Sequence, residues 1–112
     1  MVSVPSTLDL VARMRRESFS RNRNFEVFAH ADGESLEARR LWRYLRSLER
    51  DLIAYATANL RVELRAGGGH RITIEVPEVR MKRTALVTAE EYALLREHPD
   101  ARARLDQASR TE

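Results

Sequence analysis

The chain has 112 residues, 43% hydrophobic and 33% charged, which is the size and composition of one folded domain and not of a disordered segment. No run is long and apolar enough for a membrane helix, and the absence of cysteine excludes disulfides, thiolate catalysis and cysteine-ligated zinc. The net charge of +3 is carried almost wholly by arginine, Lys82 being the only lysine; with the abundant alanine this reads as the codon usage of a GC-rich bacterial genome, so the positions of the arginines say more than their number.

Met1-Val-Ser-Val-Pro5 has neither the charged start nor the apolar stretch of a secretory signal, so a cytoplasmic protein is expected. After Pro5, the hydroxyls of Ser6 and Thr7 suit a helix start, and Leu8, Val11, Met14 and Phe19 follow helical spacing to about Ser20. Arg21-Asn-Arg-Asn24 breaks that pattern. Phe25-Glu-Val-Phe28 reads as a short strand or an apolar anchor, and His30-Ala-Asp-Gly33 as a turn.

From about Ser35 to Ala58 there is no glycine or proline, and helix formers dominate. Leu41, Leu45, Leu48, Leu52 and Tyr55 step alternately by four and three, the a/d spacing of a coiled-coil seam, with Trp42, Tyr44 and Ile53 widening the stripe. Such a helix is about 36 Å long, more than a domain this small needs for its own core.

The period then becomes two. Leu60, Val62 and Leu64 alternate with Arg61, Glu63 and Arg65; after Gly67-Gly-Gly69, Ile72, Ile74 and Val76 alternate with Arg71, Thr73 and Glu75. Two half-buried runs joined by glycines predict a β-hairpin. At Pro77 the apolar phase flips to odd numbers, with Val79 and Met81, which marks a bulge, a bend or a corner into a third strand through Val87. Thr88-Ala-Glu-Glu91 has capping-box spacing and opens a helix that stops before Pro99. A last short helix from about Asp100 to Gln107 precedes a polar tail at about 108–112. Helices followed by clustered strands predict an α+β fold: a long amphipathic helix plus shorter helices packed on a small, about three-stranded antiparallel sheet, in one domain over 1–112.

Residues that could carry chemistry are sparse. His30, His70 and His98 fall in separate loops or helix ends; His30 with Asp32 would make two metal ligands without a third. The triple glycine leads into a strand, not into the helix that a phosphate-binding loop requires. No serine sits in a nucleophile elbow, and Glu90 and Glu91 are explained by helix capping. A non-enzymatic protein without cofactor or metal is expected.

Two binding readings remain. The first is a homodimeric interaction or regulatory module, with Leu41, Leu45, Leu48, Leu52, Tyr55 and Trp42 meeting a second copy or another protein. On it, Leu48→Glu gives folded monomers, whereas unfolding would put Leu48 in the chain's own core. The second is a nucleic-acid binder. Arg39, Arg43, Arg46 and Arg50 lie two positions before the leucines, about 200° round the helix, as a ridge whose guanidinium forks match phosphate. Arg15, Arg16, Arg21 and Arg23 form a second basic patch, and Arg80 to Arg83 a third that suits protection of a sheet edge. A winged-helix arrangement is disfavoured because the stretch from Ser35 to Ala58 contains no turn.

Overall fold

The computed structural model describes residues 6–21, 36–55 and 58–111, with side chains for all of these except 17–21 and 109–111. The segment Phe25–Phe28, the turn at His30–Gly33 and Arg23 lie outside the described residues. The fold is α+β, and the chain divides into two compact units, Met1–Arg46 and Ser47–Glu112.

In the first unit, helix α1 spans Thr7–Arg21. Its start is capped reciprocally: the Ser6 hydroxyl accepts from the Asp9 N–H at 3.1 Å, and the Asp9 carboxylate accepts from the Ser6 N–H at 3.3 Å. Two of the first-turn N–H groups that a helix cannot satisfy internally are thereby used. Val11, and Met14 and Arg15 three and four residues after it, are its fully buried positions among the described side chains.

Helix α2, Leu36–Ala54, begins in the first unit and ends in the second. Its 19 residues make it about 28 Å long, shorter than the span to Ala58 expected from composition. The helix end is held from far along the sequence. Arg104 donates from Nε to the Leu52 carbonyl and from Nη2 to the Tyr55 carbonyl, both at 3.2 Å, and so supplies partners for carbonyls at the helix end that have none within the helix.

The second unit is built on a four-stranded sheet. Strands β1 (Asn59–Leu64), β2 (His70–Val76) and β3 (Met81–Val87) are antiparallel neighbours in the order β3-β2-β1. The β1–β2 hairpin closes through Arg65 N–H to the Gly69 carbonyl at 2.8 Å, with Gly67 and Gly68 at φ of 94° and 92°, a region that L side chains avoid. A methyl group on Gly69 would stand 2.8 Å from the Val87 carbonyl oxygen, so glycine also lets β3 come close there. The phase change at Pro77 is a 3-10 turn, Pro77–Val79, released into β3 by Arg80 in the left-handed region at φ 54°.

Helix α3 (Ala89–Leu95) carries the expected capping box, with Thr88 Oγ1 accepting from Glu91 N–H and Glu91 Oε1 accepting from Thr88 N–H. Helix α4 (Pro99–Gln107) starts with proline at its first position, and His98 Nδ1 accepts from the Asp100 N–H at 3.2 Å. The residues expected as a polar tail add an element: Ser109–Thr111 forms β4, which pairs with β1 in parallel, Arg61 opposite Ser109 and Glu63 opposite Thr111. The sheet is thus antiparallel over three strands only.

One face of the sheet is apolar and buried: Leu60 and Val62, then Ile72, Ile74 and Val76, then Ala85 and Val87. Arg83 belongs to that inward row, opposite Ile74, although its neighbours suggested edge protection. It is satisfied there by Asp51 on α2 at 2.5 Å and by Ser47 Oγ at 3.1 Å. Arg83→Ala leaves the Asp51 carboxylate half-buried without this donor and is expected to lower unfolding free energy by about 1.5–3 kcal/mol, read from the urea midpoint. An unchanged midpoint would contradict a structural role for the pair. The other face is polar apart from the exposed Leu86, with Glu63 paired to Arg71 at 3.5 Å and Glu75 opposite Lys82 in register.

Candidate nucleic-acid interface

On α2, Arg40, Arg43, Arg46 and Arg50 are exposed. Their steps of three, three and four keep all four within about 60° of Arg43 at 100° per residue, so they run as one stripe along the helix. The stripe differs from the expected one at its first member: Arg39 is half-buried, and Arg40 takes the outward position. Sequence spacing alone admitted either, since both lie within about 60° of Arg43. What separates them is which flank of the helix is covered, and periodicity does not report that.

The stripe has an aromatic footing. The Arg46 guanidinium carbon sits 5.8 Å from the ring centroid of Trp42, one turn back, within the range of a cation–π contact. Arg15 lies 6.0 Å from the same ring. Trp42 itself has no exposed surface.

The leucine seam is disposed otherwise. Trp42, Leu45, Leu48 and Leu52 have no exposed surface in the single chain, while Leu41 and Tyr55 are half-buried. The centre of the seam is therefore covered within the chain itself. The a/d spacing arises equally from a helix buried in its own chain, which is why the pattern reads as an interface in sequence.

Of the four arginines of the N-terminal basic patch, two have described side chains, and these two differ. Arg15 is fully buried, because it stands four residues after Val11 on the covered side of α1. Arg13 and Arg16 are exposed; the side chain of Arg21 and the whole of Arg23 lie outside the described residues. In the third patch Arg80 and Lys82 are exposed, and Arg83 is the inward residue described above.

His70 and His98, expected in a loop or at a helix end, both take structural positions, and His30 lies outside the described residues. His70 opens β2 on the inward face and stacks on Tyr92 of α3, with ring centroids 3.8 Å apart and 9° between planes. The signal for this was present: residue 70 continues the even-numbered inward set. Arg96 lies over the Tyr92 ring at 5.8 Å and bonds Asp106 of α4 at 2.6 Å. That hydrogen bond to Asp106 holds the Arg96 guanidinium above its ordinary pKa, against the smaller opposing effect of burial. Among the described residues no group of three or more metal-ligating side chains comes together, and no helix is long and apolar enough to cross a membrane.

No protein-family model, curated protein or solved structure matches the chain.

Proposed function

We propose that this protein binds nucleic acid through the arginine stripe of α2 and acts as a binding protein without catalytic activity. The observation that carries the reading is the exposure of Arg40, Arg43, Arg46 and Arg50 along one side of a helix whose leucine side is buried within the chain. A planar guanidinium pairs with two phosphate oxygens at once and stays charged at every physiological pH. The net charge of +3 favours approach to a polyanion. The cysteine-free, arginine-for-lysine composition supports a bacterial cytoplasmic setting.

A phosphate backbone suits the stripe better than an acidic protein does. Duplex DNA presents a negative charge every ~1.7 Å of axis, so arginines anywhere along the helix find partners without a fixed register. An acidic protein surface must match the spacing of its carboxylates to that of the arginines.

Purification without a high-salt wash tests this. The expected result is an absorbance ratio at 260/280 nm above that of protein, falling as salt is raised in gel filtration, with mass falling in step. A protein-like ratio at low salt, together with no shift on adding duplex DNA, would contradict the reading. Equal displacement of the duplex by polyglutamate would move the assignment to an acidic protein partner.

A further inference from the structure

We infer that the α2 stripe recognises double-stranded nucleic acid by its backbone alone, without reading sequence; the inference rests on the assignment of the stripe to nucleic acid. The exposed residues of α2 besides the four arginines are Leu36, Glu37, Ile53 and Ala54. None is an amide, which adenine readout in the groove requires, and none is aromatic, which stacking on splayed bases requires. Of the aromatic residues of the helix, Trp42 is fully buried and Tyr44 half-buried. Glu37, the one exposed acceptor on α2 for a cytosine amino group, stands one step of three before Arg40, at the N-terminal end of the stripe and about 120° round the helix from Arg43, where it neighbours one arginine only.

What remains is charge at regular intervals. Successive arginines rise by about 4.5, 4.5 and 6 Å along the axis. A duplex offers phosphates more densely than that from both strands, so the stripe is met by phosphate in any register and any sequence. Single strands carry a lower charge density and give a smaller return per contact: the salt slope is about −0.7 per contact, against about −0.9 for a duplex. For four contacts, these slopes predict affinity about sixfold lower for a single strand at about 0.1 M salt.

The test is fluorescence anisotropy of the full chain with three labelled probes of about 20 nucleotides per strand: an all-A·T duplex, a G·C-rich duplex and oligo-dT, titrated at several salt concentrations. The expected result is equal affinity for the two duplexes within about threefold, a log–log salt slope near −3.6, and oligo-dT about sixfold weaker at about 0.1 M salt. A preference above tenfold for the G·C-rich duplex would show that the arginines read guanine edges. Tighter binding to oligo-dT would show a stacking mode. Either result overturns this inference while leaving the stripe as a nucleic-acid site. Failure to bind all three probes overturns the underlying assignment, and this inference with it.

Discussion

Leu48→Glu is expected to yield no folded protein. Leu48 has no exposed surface in the single chain and sits in the middle of the buried side of α2, between Leu45 and Leu52. A carboxylate there has to be desolvated or protonated, at a cost of several kcal/mol, and the leucine packing is lost as well. A domain of this size has about 5–15 kcal/mol of stability in total, so the two losses together exhaust most of it. The milder Leu48→Ala should still fold, with unfolding free energy lower by about 2–5 kcal/mol. Circular dichroism and urea titration read both. A Leu48→Glu protein that stays folded and monomeric where the wild type is dimeric would return Leu48 to an interface between copies, as its a/d spacing first suggests.

That contrast marks what the sequence was able to convey. The 3.6 and 2.0 periodicities located the hairpin, the phase change at Pro77 and the apolar side of α2, because each depends on residues close in the chain. The capping box at Thr88 and Glu91 was legible for the same reason, a hydroxyl and a carboxyl three residues apart, whereas at the start of α1 the Ser6 hydroxyl was read without its Asp9 partner. Periodicity identifies the apolar face and is silent on what covers it, so Leu45, Leu48 and Leu52 suited a partner helix as well as a core. The end of α2 was hidden because the guanidinium that serves its carbonyls comes from Arg104, about fifty residues on. Strand β4 was hidden because Ser109–Thr111 is three polar residues, too few to show alternation. Arg83 was half-legible: its odd number put it with Ala85 and Val87 on the inner face, but its charge pointed outward until Asp51 appeared opposite. In the candidate site, Arg43, Arg46 and Arg50 were found from spacing, while the choice between Arg39 and Arg40, and the burial of Arg15, depended on tertiary cover.

Reversing Arg43 and Arg46 to glutamate should remove binding and leave the fold intact. Both side chains are exposed, so neither substitution opens a core position, and surface changes of this kind usually alter stability by no more than about 0.5 kcal/mol. Arg46 also gives up its contact with Trp42, a loss of about 0.5–1 kcal/mol at an exposed site, well within the stability of a domain. The binding loss is far larger. At about 0.1 M salt, two phosphate contacts with slopes near −0.9 each account for about 60-fold in affinity, before the repulsion of the new carboxylates is added.

The most direct measurement is therefore the anisotropy titration of one labelled duplex with wild type and Arg43→Glu/Arg46→Glu side by side at about 0.1 M salt, after both show the same circular dichroism spectrum and urea midpoint. Our reading predicts saturable, salt-sensitive binding by the wild type and a loss of at least about 60-fold in the double variant. Equal affinity of the two folded proteins would contradict it and acquit the α2 stripe of any part in nucleic-acid binding.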